Sequence, residues 1–452
     1  MKKLLFLQLD DAHFVLETKL FLKRYAHELS GYDLYLCTLQ NQLSDSPLYK
    51  TISLDEIHNH QFEMIFNLSL NEKSWELAKD YSAKYFIGCR FTETENLQVL
   101  GHWSTYLLQL KGGTSFLPFH LQDIYKNIVG CKSLALSEEK KWKDEVIYWQ
   151  CPRFINKDVF FILIAQLKER YKNWEFIEGA PLENKPGFYL GPAGDQVSLW
   201  HDQNHRLFLL KANFEGLHFA PAGDNHWLVN PHESNPDFTE LYKLMIQFCE
   251  QLPCKDIKGW EVYQTTQENL FGTSLKALTQ TNTNFPFYQF HVVIWQYVLN
   301  LFDVNLETIQ ANPKQLETLR FYEEVLTKTS RFLELIVARL ADQLEHFDET
   351  NFDIKKFQAA ITEIQEFEQI TSKIAENHPL IRPFLDYYQI QRGQSEFSGL
   401  RDQLQDQMLI LSEQSGVLKA LLELISMTIM NSSSKIEKTS QGRERHGNDR
   451  EF

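Results

Sequence analysis

The sequence predicts three regions of different fold class: an α/β domain, a shortened and strand-rich second domain, and a C-terminal α-helical bundle or coiled coil. Residues 1–135 alternate short apolar runs with helical patterns, which is typical of a parallel sheet covered on both faces. Residues 151–257 hold short apolar runs separated by turn residues, and residues 258–430 keep apolar side chains at helical spacing. A charged linker is expected at 136–150 and a disordered tail at 431–452.

The amino-acid composition already argues against some classes of protein. The 452 residues include 45 Lys and Arg against 60 Asp and Glu, a net charge of −15. Binding to nucleic acid is not expected, because neutralisation of phosphates dominates that affinity. The cysteines form no CxxC pair, and no apolar stretch reaches the length of about 20 residues that spans a bilayer. A cytoplasmic protein without a transmembrane segment is expected, with peripheral attachment to the inner membrane through partners as the alternative.

The first strand and the residues after it predict where a ligand binds. Residues 4–9 are nearly all apolar, as in a central strand buried on both faces of a parallel sheet. Asp10, Asp11 and His13 follow at once, and residues 17–29 then have helical spacing. Ligands of open α/β sheets bind at the carboxyl ends of strands. The alternative is that the two carboxylates only cap the helix, and the sequence leaves both interpretations open.

Four fragments of the first domain resemble glycosyltransferase family 9, the heptosyltransferase-like proteins. Residues 62–69 are similar to the family's yDlvinLs strand, and residues 83–88 are similar to a later strand. Residues 119–125 resemble its h-x-v-d-x-y helix, and residues 7–10 resemble its opening v-r-l-D. The fragments follow the family's order and spacing. The resemblance implies a GT-B fold, in which two Rossmann-like domains bind a nucleotide sugar in the cleft between them.

The resemblance also implies an activity and a base. The family's members move a sugar from a nucleotide-sugar donor to a glycan or lipopolysaccharide-type acceptor. The donor is a substrate, an ADP-linked sugar being one alternative, and no cofactor is expected. The family's first loop carries Gly-Asp, and that Asp is the general base. Here the loop has no glycine, so the base position falls on His13, with Asp10 or Asp11 as alternatives. A last alternative is that the base has been lost.

A short motif occurs twice in the second domain. Residues 188–195 and 217–224 both end in Pro-Ala-Gly-Asp, where Pro pre-sets a turn and Gly permits positive φ. One interpretation is that both copies line a single cleft that binds the donor; the other is two similar turns. The candidate donor-binding residues are Gly191, Gly194, Asp195, Gly223 and Asp224. The short strands of this region are expected to be joined by tight turns, with a hairpin turn at 202–204, and to lie at 187–194, 196–200, 206–211, 216–220 and 225–230.

Five histidines of the second domain raise the question of a metal site, and the spacing argues against one. They have no carboxylate or cysteine partner at a recognisable metal-ligand spacing, so no metal is expected. The histidines are His201, His205, His218, His226 and His232. The D-x-G-x-x-H motif, which active members of the resembled family use around the donor nucleotide, is missing from the sequence. Donor binding in this domain therefore stays an open expectation.

The last third of the chain is expected to be helical. An almost entirely apolar helix is predicted at 287–302, and a long amphipathic run begins at Pro313. Further helices are predicted at 352–376, 380–391 and 395–430. These helices pack on their own chain in one interpretation, and in the other they carry a protein partner or self-association. Two functions are then open: a divergent heptosyltransferase-like glycosyltransferase, or a catalytically inactive scaffold or regulatory protein that acts through its C-terminal helices.

Overall fold

The protein forms two compact units in the computed structural model, Met1–Asn282 and Thr283–Phe452. The first unit contains two β-sheets and the second contains helices. The structure describes residues 2–39, 46–81, 83–112, 120–132, 145–182, 185–193, 197–203, 205–210, 226–231, 237–254, 259–269, 272–277, 295, 298, 313–345, 354–377, 382–393 and 400–447.

The first sheet has six strands in the order β3-β2-β1-β4-β5-β6. Its strands are β1 (Lys2–Leu7), β2 (Tyr32–Cys37), β3 (Lys50–Ile52), β4 (Phe62–Asn67), β5 (Ala83–Phe91) and β6 (Leu97–Leu100). β1 pairs in parallel with both β2 and β4, so the predicted central position of the first strand is confirmed. β6 runs antiparallel to β5 at the edge, and the sequence interpretation had no strand there.

Helices cover both faces of the first sheet. They are α1 (Ala12–Tyr25), α2 (Glu72–Asp80), α3 (His102–Leu108) and α4 (Leu121–Val129). On one face the Phe21 ring of α1 lies 6.3 Å from the Phe6 ring of β1. On the other face Ala78 of α2 belongs to the same buried cluster as Leu5 and Leu7. Successive residues of β1 point to opposite faces, so α1 and α2 lie on opposite sides of the sheet.

The second sheet has seven strands in the order β13-β12-β11-β10-β9-β7-β8. They are β7 (Val146–Trp149), β8 (Glu175–Glu178), β9 (Phe188–Pro192), β10 (Arg206–Leu210), β11 (Trp227–Pro231), β12 (Trp260–Asn269) and β13 (Gly272–Ala277). β7 to β11 are mutually parallel, whereas β12 and β13 are antiparallel additions. Its helices are α5 (Lys157–Arg170), α6 (Val197–Asp202) and α7 (Phe238–Cys249).

The tight turns expected in the second domain are wrong where the structure describes them. The segment 196–200, predicted as a strand, overlaps α6, in which Val197 and Trp200 are buried three residues apart. That spacing places both side chains on one helix face. The hairpin turn expected at 202–204 is also wrong, because β9 and β10 run parallel and need a crossover, which α6 supplies. The strand expected at 216–220 lies outside the described residues.

Strands also occur in ranges where the sequence predicted none. β7 lies inside the expected linker 136–150, and all four of its residues are buried. β12 and β13 lie inside the expected helical module 258–430. Trp260 and Val262 of β12 are both fully buried in the core of the second sheet, and their spacing of two is that of a strand. The compact helical unit accordingly starts at Thr283.

The predicted helical character of the C-terminal region is confirmed. Its helices are α8 (Pro313–Glu345), α9 (Ile354–Asn377), α10 (Arg382–Arg392) and α11 (Leu400–Gly447). α8 and α11 run antiparallel, since Lys419 Nζ lies 2.6 Å from Glu334 Oε1 while Ser426, further along α11, bonds Glu323, further back in α8. α11 extends to Gly447, into the tail predicted as disordered. A coiled coil stays a prediction.

The apolar helix expected at 287–302 falls largely outside the described residues. Only Trp295 and Val298 of that range are described; both are helical and buried. Among the described helices, none has a stretch with the length and apolar character needed to cross a bilayer.

Candidate functional site

The loops after β1 and β4 lie side by side where the strand order of the first sheet reverses. The chain passes from β1 through α1 to β2 on one side, and from β4 through α2 to β5 on the other. Because α1 and α2 lie on opposite faces, the two loops separate at the carboxyl ends of their strands. Open α/β sheets bind ligands in the crevice that forms at such a switch point.

A crevice of about 420 Å³ lies at this position. Its walls combine apolar side chains with two carboxylates and one amide. The lining residues are Leu9, Asp10, Asp11, Phe14, Leu39, Leu70 and Asn71. The lining offers many hydrogen-bond acceptors and, among the residues that the structure describes, no Lys or Arg. Such a surface suits a ligand with hydroxyl groups and apolar faces better than a phosphate or a carboxylate.

The Asp10 carboxylate is bound to the loop after β4. Its Oδ2 accepts a hydrogen bond of 2.8 Å from the Leu70 backbone N–H, and its own backbone N–H donates to Gln8 Oε1 at 3.2 Å. Burial raises the pKa of the Asp10 carboxyl from 3.8 to about 6, and the neighbouring charge of Asp11 adds to the rise. Hydrogen bonds from the Leu70 and Asn71 backbones and the charge of Lys111 oppose it.

Asp11 caps α1, which is the role that one interpretation of the sequence gave to both carboxylates. Its Oδ1 accepts from the backbone N–H groups of His13 at 3.1 Å and Phe14 at 3.4 Å. These are orphan donors of the first helical turn, which an Asp at the N-cap satisfies. The side chain is exposed at the crevice wall. Asp11 can therefore contact a ligand while it holds the start of the helix.

His13 has a different position from the two carboxylates. It lies in the first turn of α1 with 7% of its surface exposed, and it is not among the described residues that line the crevice. Its neighbour Phe14 lines the crevice instead. Of the three candidate bases, the structure brings Asp10 and Asp11 together at the crevice and leaves His13 in the body of the domain.

Lys111 is a cation near the crevice that the sequence interpretation did not single out. Its Nζ lies 2.5 Å from Glu72 Oε1 and 4.3 Å from the centre of the Trp75 ring. Both contacts hold the exposed ammonium beside α2. Lys111 follows α3 in a short 3-10 helix, and only the fold brings it near Asp10. No local sequence signal could have assigned it to the site.

The candidate donor-binding residues lie mostly outside the described part of the chain. Gly194, Asp195, Gly223 and Asp224 belong to the ranges without a described position. Gly191 lies in β9, where a Cβ would sit 2.6 Å from the Tyr189 hydroxyl and 2.9 Å from the Gln150 carbonyl oxygen. Packing within the sheet therefore accounts for Gly191, and a role in donor binding stays a prediction.

His205 and His226 of this domain behave as core residues. Burial lowers the pKa of His205 from 6.5 to about 4, which keeps that ring neutral. His226 Nδ1 accepts a hydrogen bond of 3.1 Å from the Leu207 backbone N–H. Over the described residues, no group of three or more His, Cys, Asp or Glu side chains is placed to hold a metal ion. His218 and His232 lie outside them.

Comparison with known proteins gives a structural likeness and no sequence match. No protein-family model matches the chain, and no curated protein matches it. Among solved structures, the Escherichia coli heptosyltransferase WaaC with ADP aligns at a TM-score of 0.36 and 9% identity, over 55% of this chain and 99% of that one. A TM-score of that size carries no argument about function, which must come from the residues of the crevice and from the fold.

Proposed function

We propose that the protein is a glycosyltransferase in which Asp10 is the general base and the crevice holds the acceptor. The supporting observation is the partly buried Asp10 carboxyl, at the switch point of a Rossmann-type sheet, with a pKa raised to about 6. A base is most effective when its pKa lies near the working pH. Two successive, mostly parallel sheets in one compact unit suit the two-domain fold that the sequence resemblance implies.

The chemistry follows from that placement. An acceptor hydroxyl donates its hydrogen bond to the Asp10 carboxylate, and the proton moves to Asp10 as the oxygen attacks the anomeric carbon of the donor. The bond between that carbon and the diphosphate oxygen breaks, and the nucleoside diphosphate leaves with the electron pair. The donor is proposed to be a nucleotide sugar, with an ADP-linked sugar among the alternatives. The acceptor is proposed to be a glycan whose hydroxyl groups bind the acceptor atoms of the crevice, since the described lining has no basic side chain that would bind an anionic group.

The test is transfer by purified full-length protein. ADP-, UDP- and GDP-linked sugars are incubated with a mixture of glycan acceptors, and released nucleoside diphosphate is measured with and without acceptor. Asp10→Asn should lower the acceptor-dependent rate by a factor of about 10² to 10⁴, the usual contribution of a general base. Asp11→Asn is the matched control, because it changes the adjacent carboxylate and keeps a good capping residue. Equal loss in both variants would contradict the assignment of the base.

A scaffold without catalysis is the second candidate, and the helical unit favours it. Several large apolar side chains of this unit are about half exposed or more. They are Phe321 at 51%, Leu335 at 61%, Ile370 at 49%, Leu409 at 54% and Met430 at 63%. Calorimetric titration with ADP, UDP and GDP separates the two candidates. A protein that binds none of the nucleotides, and transfers no sugar, would support the scaffold.

A further inference from the structure

Gln8 is a fully buried amide directly after β1, with 0% of its surface exposed. Its Nε2 donates to the Leu68 carbonyl oxygen at 3.3 Å and to the Tyr125 hydroxyl at 3.0 Å. Its Oε1 accepts from the Ser69 hydroxyl at 3.3 Å and from the Asp10 backbone N–H at 3.2 Å. A glutamine side chain has two donor hydrogens and two acceptor sites, so every one of them is used.

These contacts join three parts of the first domain. Gln8 itself belongs to the loop after β1, Leu68 and Ser69 belong to the loop after β4, and Tyr125 belongs to α4. The same two loops are also tied by the Leu9 N–H, which donates to Ser69 Oγ at 2.6 Å. Gln8 therefore connects the helix layer of one face to both walls of the crevice.

The backbone and the side chain of Asp10 have different hydrogen-bond partners. Gln8 accepts from its backbone N–H, while the Leu70 N–H donates to its carboxylate at 2.8 Å. Leu70 follows Leu68 and Ser69, which Gln8 also bonds. One amide thus fixes both the residue that carries the carboxylate and the loop that directs it.

We propose that Gln8 is a positioning residue that keeps the Asp10 carboxylate in its partly buried place at the crevice, because it bonds the Asp10 backbone and the loop whose Leu70 N–H binds that carboxylate. The inference rests on the proposed role of Asp10 as the base. Without the Gln8 amide, the Leu9 N–H still joins the two loops through Ser69 Oγ, but the Asp10 backbone N–H loses its acceptor. Residue 10 can then turn and expose its carboxylate to water. The charge environment stays the same in that case, because Asp11, Cys89, Lys111 and Tyr125, which face Asp10 electrostatically, are unchanged.

Gln122 offers a matched control for the loss of a buried amide. It is 3% exposed in α4; its Nε2 donates to Glu17 Oε2 at 2.6 Å, and its Oε1 accepts from Arg24 Nη1 at 2.6 Å. Gln122→Leu therefore removes a buried hydrogen-bonded glutamine of the same domain without a direct contact to Asp10. A purely structural role for Gln8 predicts that the two variants behave alike.

The experiment measures the protonation of Asp10 directly and needs no substrate. Full-length protein is labelled with a carbodiimide and an amine between pH 4 and 8, since the protonated carboxyl is the reactive form, and peptide fragmentation separates Asp10 from Asp11. The wild-type midpoint is expected near pH 6. In Gln8→Leu the midpoint should fall toward the ordinary 3.8, because exposure to water removes the largest cause of the shift. At pH 6 and with a midpoint of 3.8, labelling should then be about eightyfold slower, as the protonated fraction falls from about one half to about 1/160.

Two further variants make the outcome decisive. Gln8→Glu loses the two Nε2 donors but keeps the acceptor for the Asp10 N–H and adds an acid beside it. Because the bond to Asp10 remains, the Asp10 midpoint should stay near pH 6 or rise. Gln122→Leu should leave the midpoint near pH 6. The proposal is overturned if Gln8→Leu keeps the wild-type midpoint in a folded protein, or if Gln122→Leu lowers it as much. Absence of sugar transfer would count against the proposed function alone, because the labelling does not depend on it.

Discussion

Gly88 gives the sharpest test of how the sheet positions the crevice. It lies in β5 opposite Asn67 of β4, with φ of +121°, a conformation that side chains with a Cβ rarely adopt. A Cβ at Gly88 would lie 2.3 Å from the Asn67 carbonyl oxygen. We expect Gly88→Ala to be strongly destabilising, because both the backbone angle and the space forbid the methyl group.

Two other glycines separate the cost of the backbone angle from the cost of the steric clash. Gly179 has the same φ of +121° with nothing within 4 Å of a Cβ, and Gly31 has open space without a positive φ. The backbone strain costs about 1 to 3 kcal/mol, and the clash adds about 1 to 3 kcal/mol as overpacking does. Gly88→Ala should therefore lose about 2 to 6 kcal/mol and Gly179→Ala about 1 to 3 kcal/mol. Gly31→Ala should stay within about 1 kcal/mol of the wild type.

Urea unfolding followed by tryptophan fluorescence measures these free energies, and hydrogen exchange of residues 62–67 shows whether β4 opens locally. A shift of β4 would reach the crevice, since Asn67 Nδ2 donates to the Cys89 carbonyl oxygen at 2.7 Å and Asn67 Oδ1 accepts from the Ser69 N–H at 3.2 Å. The reasoning is refuted if Gly88→Ala costs no more than Gly179→Ala, or if β4 exchanges at the wild-type rate in a destabilised Gly88→Ala protein.

Three further predictions test other parts of the structure. The pKa of the Asp10 carboxyl is about 6 in the folded chain and 3.8 ordinarily. The free energy of unfolding should therefore fall by up to about 3 kcal/mol as the pH rises from below 4 through 6. Asp10→Asn should remove that loss, which denaturation curves at pH 4 and 7 measure. Asp11→Ala and Asn156→Ala, which remove two N-caps that each accept from two backbone N–H groups, should each cost about 1 kcal/mol in urea, and a cost only at one site would contradict equal capping. A chain of residues 1–257 lacks β12 and β13 and should aggregate, whereas 1–282 should stay monomeric in size-exclusion chromatography; equal behaviour of both chains would contradict this.

The sequence predicted the first strand and the helical region well because their patterns are extreme. A run apolar on both faces is compatible with few positions other than the centre of a parallel sheet. The long helices keep apolar residues at spacings of three and four over many turns, and α8 begins at Pro313 as predicted.

The second sheet was harder because short strands do not reveal their direction. Short apolar runs separated by turn residues are compatible with a hairpin, and also with a parallel strand followed by a short helical crossover such as α6. One signal was available: residues 207–210 are all apolar, and the structure buries all five residues of β10, Arg206–Leu210. A strand buried on both faces indicates a parallel sheet. The charged Arg206 at the start of β10 made this strand look less apolar than it is. Its guanidinium carbon lies 4.7 Å from the centre of the Phe248 ring, which is a contact that only the fold creates.

The positions of His13, Asp10 and Asp11 relative to the crevice could not be predicted from spacing. They depend on where α1 begins, and Asp11 caps that helix by accepting from the His13 and Phe14 N–H groups. Once the helix starts at Ala12, His13 belongs to its first turn and Asp10 to the loop before it. Gln8 carried a signal that was available, since an amide inside an apolar run is costly to bury unless it is fully hydrogen-bonded.

The chemistry of Asp10 is difficult to explain by stability alone. An asparagine at this position could still accept from the Leu70 N–H through its side-chain oxygen, and it would carry no charge to desolvate. The carboxylate instead has a pKa near 6, which means that burial opposes its ionised form in the folded chain. The Leu70 N–H binds this carboxylate, and the Gln8 side chain binds the Asp10 backbone N–H. A partly buried carboxyl with a raised pKa beside an open crevice is what the proposed general base requires, because such a group accepts a proton near neutral pH.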